Sequence, residues 1–268
     1  MELKKILFSL ISFFAISSVQ ASESNFTKDS TVELLQSKSC TTNINKYAGT
    51  CVTPSTCTGG IFNNLCPGST KCCVEDTTSP PWVYWRYVSK DDFKSIFSSV
   101  SNDRTDILHP WFNSALWDVL DDKMGNPSCH IIAAFAAQVG HESGDLMLFE
   151  ELASGEAYEG RCSKLGNCNP GDGVRFKGRG AIQLTGRSNY QALTTYAKKD
   201  FIQNPESLVL PSNGFEASVW FWTANKLNRY CTGKVNDFFE LTRKINGGTN
   251  GIDDRLSKWE NAKKVLQC

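Results

Sequence analysis

A cluster of six cysteines constrains the N-terminal part of the chain more than any other feature. Its members are Cys40, Cys51, Cys57, Cys66, Cys72 and Cys73. They fall within 34 residues that hold few large apolar side chains. Such a segment cannot bury much of a core, so we predict that three disulfides hold it together. Fifteen pairings are possible, and the sequence does not choose among them. A zinc site is the competing interpretation, but no histidine precedes His109 and adjacent cysteines fit tetrahedral ligation poorly.

The first residues are typical of a secretory signal peptide. MELKKILFSLISFFAISSVQA contains two lysines, an apolar run and small residues around a cleavage point. We predict a signal peptide over residues 1–21 and a secreted protein, extracellular or in the lumen of the secretory or lysosomal pathway, where disulfides persist. No second run approaches the ~20 apolar residues of a membrane helix, so we expect no membrane attachment after cleavage. Asn25 begins a glycosylation sequon.

The overall charge is balanced, with 28 basic Lys and Arg against 28 acidic Asp and Glu residues. This balance favours neither nucleic acid nor an anionic membrane as a partner. We therefore expect a neutral or weakly charged substrate. Separately, we expect a monomeric protein.

Composition divides the chain into five parts. After the signal peptide come an N-terminal segment at 22–39 and the cysteine-rich module at 40–74. The run EDTTSPPW predicts a linker at 75–82, because paired prolines stop helices and strands. The remaining residues, 83–268, form the second domain.

The second domain is predicted to be mainly α-helical. Apolar residues recur at helical spacing in six segments, and HIIAAFAAQ is apolar nearly all round, which indicates a buried central helix. The glycine-rich stretch 152–189 loses this periodicity and predicts an irregular functional segment. We expect a helical domain with a cleft built from loops.

Four carboxylates follow the predicted central helix in VGHESGDLMLFEEL. On one continuous helix, Glu142 and Glu151 would lie two and a half turns apart on opposite faces, roughly 13 Å along the axis. The Ser143-Gly144 pair offers a break, since glycine commonly ends helices. If the helix ends there, Glu151 can face Glu142 across a groove.

Their expected environments differ in a way that suits acid–base chemistry. The end of a buried helix and an apolar surround predict a raised pKa for Glu142, which then donates a proton. A more solvated carboxylate activates water, and this division of labour is glycoside hydrolysis. A separation of about 6.5–9.5 Å would predict inversion of the anomeric centre.

Other motifs are incomplete. His141-Glu142 begins like a zinc-protease helix but lacks the second histidine, and GDGVRFKGRG fits neither a phosphate loop nor a dinucleotide fingerprint. The histidines, His109, His130 and His141, are interpreted as hydrogen-bonded structural residues.

Four ordered motifs resemble the catalytic domain of glycoside hydrolase family 19, which contains chitinases and bacterial or phage cell-wall hydrolases. They are GHESGDLMLFEELASGEAYEGR, GRGAIQLTGRSNY, SVWFW and INGGTNGIDDR. The similarity spans roughly Trp111 to Leu266. It implies a lysozyme-like fold, an inverting reaction, and no metal or organic cofactor.

The resemblance also assigns roles. It implies Glu142 as general acid and Glu151 as general base, with Glu150 and Glu159 as lesser candidates for the base. It implies that the Thr185 hydroxyl holds the attacking water. The residues implied to bind sugar or line the cleft are Gln183, Asn189, Asn246 and Arg255. We expect an arginine there to hold the base carboxylate ionised.

One position departs from the plant-type pattern. Ser188 stands where an aromatic residue often precedes the asparagine of the second motif. The resemblance therefore leaves open which residues form the outer sugar subsites and whether the enzyme strictly prefers chitin.

The predicted function is an endo-β-1,4-glycosidase acting on N-acetylglucosamine polymers, with chitin as substrate. The alternatives are a muramidase acting on peptidoglycan and an inactive glycan-binding protein.

Aromatic residues and the remaining cysteines are assigned mainly to structure. Trp82, Tyr84, Trp85 and Tyr87 are expected to pack the linker onto the domain. Trp220, Phe221 and Trp222 are expected in the core, with at most one ring reaching the cleft. For the cysteines, we expect pairs Cys162–Cys168 and Cys231–Cys268, with Cys129 a free packed thiol.

Overall fold

The computed structural model describes residues 39–41, 48–52, 60–62, 66, 69–74, 88–120 and 129–268. Several predictions lie outside the described residues: the signal peptide, the Asn25 sequon, the linker at 75–82 and the aromatic cluster from Trp82 to Tyr87.

The cysteine-rich module contains a small antiparallel sheet. Its strands are β1 (Ser39–Thr41), β2 (Ala48–Val52), β3 (Gly60–Phe62) and β4 (Lys71–Val74), in the order β1-β2-β4-β3. Disulfides join Cys40 to Cys72 and Cys51 to Cys66, and Cys73 is also disulfide-bonded. The prediction that disulfides hold this module is confirmed for these five cysteines.

The rest of the described chain is helical, as predicted. Its helices are α1 (Lys90–Ile96), α2 (Asn102–Leu120), α3 (Cys129–Glu142), α4 (Cys162–Leu165), α5 (Asp172–Arg175), α6 (Arg187–Ala197), α7 (Pro211–Ala224), α8 (Val235–Asn246) and α9 (Ile252–Leu266). Short 3-10 helices lie at Glu156–Tyr158, Pro205–Val209 and Leu227–Tyr230. Within the described ranges, no helix has both the length and the apolarity required to cross a bilayer.

The first two helices begin differently from one another. Ser89 caps α1, because its hydroxyl accepts a hydrogen bond from the Asp92 backbone N–H at 3.0 Å. Helix α2 begins at Asn102, seven residues before the predicted segment at His109, and it contains Pro110. The extension adds the buried residues Arg104, Thr105 and Leu108 to the helix.

Helix α3 is the central helix that the sequence predicts. Every residue from Ile132 to Gly140 is buried. Its main helical neighbour is α9, while α2 packs against α7. Rings at the centre meet edge to face, including Phe135 on Trp222 with centroids 5.1 Å apart. Since α3 is held on its sides, its C-terminal residue is placed rigidly.

Two of the predicted cysteine assignments in the helical domain are wrong. Cys162 pairs with Cys168 as expected, but Cys268 pairs with Cys129, and Cys231 is the buried free thiol. The physical reason is the packing of α3 on α9, which brings the start of one helix beside the end of the other. Burial raises the pKa of the Cys231 thiol. That thiol is therefore a packed, protonated side chain.

We expect Cys129→Ser to lower the free energy of unfolding by about 2–4 kcal/mol, because it opens a long covalent loop. The disulfide joins residues that are 139 apart in sequence. Chemical denaturation of both proteins measures this difference. Cys231→Ser is the control, because Cys231 is a free cysteine. This variant should contain one free thiol fewer than the wild-type protein. If Cys231→Ser instead exposed an additional thiol, the pairing of Cys129 with Cys268 would be contradicted.

Candidate active site

The helix break between the two candidate carboxylates is present. Helix α3 ends at Glu142, and the next turn is left-handed, with φ of +57° at Gly144, +57° at Asp145 and +61° at Leu146. The Ser143 hydroxyl donates to the Val139 carbonyl and accepts from the Leu146 N–H at 2.9 Å. Two consecutive non-glycine residues in this conformation are uncommon. The chain therefore reverses here and does not continue as a helix towards Glu151.

Glu142 is buried against a guanidinium. Its carboxylate accepts a hydrogen bond from Arg255 Nη2 at 2.8 Å, and both side chains are almost fully buried. Arg255 also donates to the Gln138 side chain and, through Nε, to the Asn250 carbonyl. Gln138 in turn donates to Thr242 on α8 at 2.9 Å. A buried polar network therefore connects the acid candidate with α8 and α9.

This contact corrects the expectation for Arg255. The arginine was expected to hold the base carboxylate, but its partner is Glu142. The packing of α9 on α3 decides this, because Arg255 lies in the first turn of α9 beside the last turn of α3. The sequence predicts an apolar surround for Glu142, and the structure adds a positive charge to it. Arg255 stabilises the carboxylate that Glu142 becomes when it releases a proton.

His141 lies on the outer side of the same helix end. Its Nδ1 is 2.6 Å from Asp254 Oδ2. Burial, assisted by the charge of Arg255, lowers the pKa of His141 even though Asp254 acts in the opposite direction. His109 is also hydrogen-bonded, to the Val88 carbonyl at 2.8 Å, but His130 Nδ1 is buried without a hydrogen-bond partner among the described residues.

Glu151 is positioned by a short antiparallel pairing of 149–151 with 178–180. Phe149 accepts from the Gly180 N–H, and the Glu151 N–H donates to the Gly178 carbonyl, both at 2.9 Å. The side chain of Glu151 is half-buried. Its Oε2 accepts from the Gly178 N–H at 2.9 Å, and its Oε1 accepts from the Tyr158 hydroxyl at 3.0 Å. Each carboxylate oxygen thus has one fixed donor, and the side chain as a whole remains partly exposed.

Three of the predicted site residues converge on Gly178. A Cβ placed on this glycine would lie 2.9 Å from Gln183 Oε1, 3.2 Å from Glu151 Oε2 and 3.4 Å from Thr185 Oγ1. Glycine at this position therefore lets the three polar side chains approach one another. The hairpin contacts between Arg179 and Leu184 bring Gln183 and Thr185 back to the Glu151 strand.

The remaining sugar-binding candidates differ in the hydrogen bonds that their side-chain amides already make. The Asn189 side-chain nitrogen donates to the Thr185 carbonyl at 2.8 Å, and Gln183 donates to the carbonyls of Leu148 and Gly180. Asn246 is buried, and it both donates to the Asn250 carbonyl and accepts from the Gly248 N–H. In this structure Asn246 holds the loop that leads to Arg255.

The two lesser base candidates have other partners. Glu150 is buried, 3.3 Å from Arg179 Nε and 3.5 Å from Lys177 Nζ. Glu159 accepts hydrogen bonds from the backbone N–H groups of Gly171, Gly173 and Val174. Glu150 therefore neutralises buried cations, and Glu159 stabilises the start of α5. Among the three, Glu151 has the arrangement that suits a base.

Tyr158 is a site residue that the sequence patterns do not single out. Burial, followed by the negative charge of Glu151, raises the pKa of its hydroxyl, and Glu142 acts in the same direction. The hydroxyl therefore stays protonated and donates to Glu151. The 3-10 helix that carries Tyr158 is held by Asn167, whose amide donates to the Tyr158 carbonyl at 3.0 Å.

We expect Tyr158→Phe to lower kcat by about tenfold and to leave KM nearly unchanged, as for the loss of one hydrogen bond to a charged group. The hydroxyl contacts the carboxylate and acts through it, so the change affects the chemical step and leaves sugar binding intact. Steady-state kinetics on a soluble oligosaccharide measures both constants. Tyr230→Phe is the matched control, since no hydrogen bond of the Tyr230 hydroxyl occurs within the described residues. A change confined to KM would contradict a positioning role for Tyr158.

Metal-ligand geometry occurs away from this site. Within the described residues, two groups place three potential ligand atoms within 4.8 Å: Cys40, Cys51 and Cys66, and Cys129, His130 and Cys268. Every cysteine in both groups is in a disulfide. A disulfide sulfur is not the thiolate that binds metals.

The chain is similar to known proteins in sequence and in fold. The family model described as chitinase class I matches residues 129–237. A glycosyl hydrolase family 19 domain-containing protein of Haemophilus influenzae is 31% identical, over 46% of this chain and 74% of that protein. An endochitinase of Arabidopsis thaliana is 35% identical, over 44% of this chain and 39% of that protein. The chain thus spans well under half the length of that plant relative.

Solved structures show the same fold. The crystal structure of a family 19, class IV chitinase from Zea mays superposes with a TM-score of 0.54 at 23% identity, over 68% of this chain and 93% of that chain. Chitinase C from Streptomyces griseus gives a TM-score of 0.51 at 22% identity, over the same two shares. The match to the Haemophilus influenzae protein covers most of that protein's length. On this evidence the chain belongs to glycoside hydrolase family 19.

Proposed function

We propose that this protein is an inverting endo-β-1,4-glycosidase that cleaves polymers of N-acetylglucosamine, with chitin as its substrate. One observation carries the proposal: Glu142 ends a buried helix against Arg255, whereas Glu151 lies on a separate paired segment beside Thr185 and Gln183. Two carboxylates with separate supports and different surroundings are what general acid and general base catalysis require. The substrate is suggested by the relatives, several of which are named endochitinases.

In the proposed reaction, Glu151 removes a proton from a water molecule that attacks the anomeric carbon. Tyr158 and the Gly178 N–H hold the two oxygens of this carboxylate, which orients it towards the water. Thr185 lies next to Glu151 at Gly178, and in the proposed reaction its hydroxyl oxygen accepts a hydrogen bond from the same water. Gln183, on the same hairpin, is close enough to bind the sugar beside it.

Glu142 is the proposed proton donor to the leaving oxygen. As the proton leaves, negative charge develops on a carboxylate that already contacts Arg255. A preorganised charge is most effective where charge develops during the reaction and water is excluded. The buried Arg255 therefore stabilises the transition state of the step in which Glu142 acts.

Secretion is part of the same proposal. The N-terminal sequence is typical of a signal peptide, and the described disulfides suit an oxidising compartment. Chitin is too large to enter a cell, so a secreted enzyme would meet it outside.

The experiment is hydrolysis of soluble chitin oligomers, followed by proton NMR of the fresh products. An inverting enzyme releases the α-anomer first. An initial β-anomer would contradict inversion. Binding without any release of reducing ends would favour an inactive glycan-binding protein and would overturn the proposed activity.

A further inference from the structure

The chain contains three asparagine–glycine steps, which begin at Asn213, Asn246 and Asn250. Asparagine is among the thermolabile residues of proteins. Its side-chain amide is lost when the backbone nitrogen of the next residue attacks the amide carbon. A following glycine has no Cβ to obstruct this attack. The hydrogen bonds and the exposure of each step therefore decide whether it reacts.

Hydrogen bonds close the step at Asn213. Gly214 lies inside α7, where its N–H donates to the Leu210 carbonyl at 2.8 Å. The side-chain nitrogen of Asn213 donates to the Ser207 carbonyl at 3.0 Å. Its side-chain oxygen accepts from Lys199 Nζ, also at 3.0 Å. Neither the attacking nitrogen nor the amide is available without local opening of the helix.

The step at Asn246 is closed in the same way. The Gly247 N–H donates to the Arg243 carbonyl at 2.9 Å, at the end of α8. The Asn246 side chain is buried, and it donates to the Asn250 carbonyl and accepts from the Gly248 N–H. Both reacting groups are therefore occupied here as well.

The step at Asn250 is open. Asn250 and Gly251 are both exposed, in the turn between α8 and α9. Among the described residues, neither the Asn250 side-chain amide nor the Gly251 N–H forms a hydrogen bond. Attack of this nitrogen on this amide thus breaks no hydrogen bond of either reacting group.

The backbone at Asn250 is connected to the candidate acid. Its carbonyl oxygen accepts from the Asn246 side-chain amide at 2.9 Å and from Arg255 Nε at 3.2 Å. Arg255 is buried and donates through Nη2 to Glu142 at 2.8 Å. A chemical change of the backbone at position 250 therefore reaches the arginine that contacts Glu142.

We propose that Asn250 deamidates spontaneously in the folded protein, and that the isoaspartate formed there competes with Glu142 for Arg255. In the first step, the Gly251 nitrogen bonds to the side-chain amide carbon of Asn250. The bond from this carbon to the amide nitrogen breaks, and the amide leaves as ammonia with the proton of the Gly251 nitrogen. The product is a succinimide ring, which water then opens.

The side on which the ring opens decides the consequence. Opening at the former side-chain carbon gives ordinary aspartate, whose carboxylate lies on the exposed side chain. Opening at the backbone carbon gives isoaspartate, and the carbon whose oxygen contacts Arg255 Nε becomes a free carboxylate. This carboxylate attracts the same guanidinium as Glu142. The effect on activity rests on the proposed function, in which Arg255 stabilises Glu142 as it releases its proton.

A restraint on the backbone is the competing factor. Two donors hold the Asn250 carbonyl, and ring closure moves this group. The matched variant is Asn250→Gln, whose longer side chain forms the corresponding ring much more slowly. Gly251→Ala is unsuitable, because φ is +68° at this residue and a Cβ would overlap the His141 ring.

The test incubates the full chain at mildly alkaline pH and follows each asparagine by peptide mass spectrometry. Enzymatic methylation of the free carboxylate identifies isoaspartate. We expect deamidation at Asn250 to be at least about tenfold faster than at Asn213 or Asn246, where the glycine N–H must first lose a hydrogen bond. Asn250→Gln should lack this fast reaction.

The effect on Arg255 is measured on the isoaspartate form, separated by ion exchange. Its kcat on chitin oligomers should be lower by about tenfold, as for one weakened hydrogen bond to a charged group. Asn250→Asp, which keeps the ordinary backbone, should lose less. The NMR resonance of the Arg255 Nε–H should shift in the isoaspartate form and stay near its wild-type position in Asn250→Asp. This readout needs no activity.

The outcomes separate this inference from the proposed function. Equal rates at the three asparagines overturn the modification site. An unshifted Arg255 resonance overturns the competition with Glu142, whatever the change in kcat. If the wild-type chain cuts no chitin oligomer but Asn250 deamidates and the resonance shifts, the proposed hydrolase function fails and this inference stands.

Discussion

Glu142→Gln lowers kcat on chitin oligomers by about 10²–10⁴-fold, the usual contribution of a general acid or base. The amide cannot donate a proton to the leaving oxygen as the acid does. It retains an oxygen that accepts from Arg255, which is 2.8 Å from the carboxylate in the wild-type chain. The fold is therefore expected to persist, and thermal unfolding of the variant verifies this.

The dependence of the rate on the leaving group tests whether Glu142 is the general acid. An aryl glycoside with an acidic phenol needs little protonation, so Glu142→Gln should retain much more of the wild-type rate on it than on chitin oligomers. Measuring both substrates with both proteins gives this comparison. Equal losses on the two substrates would contradict the acid role, and wild-type activity on the oligomers would exclude Glu142 altogether.

Glu142→Ala is expected to lower the stability of the folded protein. It leaves the buried Arg255 without its anionic partner, and removing one member of a buried pair typically destabilises a protein by about 3–5 kcal/mol. The glutamine variant is therefore the one that separates chemistry from folding.

Glu151→Ala lowers kcat by a similar factor of about 10²–10⁴, because no base remains to activate the water. Here the leaving group should not matter, since protonation by Glu142 is intact. Added azide, a small anion that needs no deprotonation, should restore activity and yield the glycosyl azide. Rates with and without azide, and the identity of the product, measure this.

The neighbouring carboxylate supplies the control for Glu151. Glu150→Gln alters a buried group beside Arg179 and Lys177, so its main effect should be on stability. Azide should not accelerate it. If Glu150→Gln lost activity as Glu151→Ala does and azide restored it, the assignment of the base to Glu151 would be wrong.

Local features of the chain were predictable because neighbouring residues produce them. The apolar run of α3 predicts a buried helix, and Ser143-Gly144 predicts where that helix ends. The spacing of Cys162 and Cys168 predicts their short loop. In each case the interacting groups are within a few turns of one another, so the amino-acid pattern suffices.

The partners of Arg255 and Cys268 were not predictable in this way. Arg255 lies in the first turn of α9 and Cys268 lies two residues after its end, and both contact α3, more than 100 residues earlier in the chain. The packing of the two helices chooses Glu142 for the arginine and Cys129 for the terminal cysteine. Tyr158 reaches Glu151 only because the glycine-rich segment folds back along it.

The sequence by itself determined the helical character of the domain, the need for disulfides in the small module, and the break that separates the two glutamates. Periodicity, cysteine density and turn-forming residues act over short distances along the chain, so they can be recognised in the amino-acid sequence. Tertiary structure alone decided which cation contacts which carboxylate and which cysteines of the helical domain pair. These relations depend on the packing of α8 and α9 against the rest of the domain, and that packing results from many weak apolar contacts acting together.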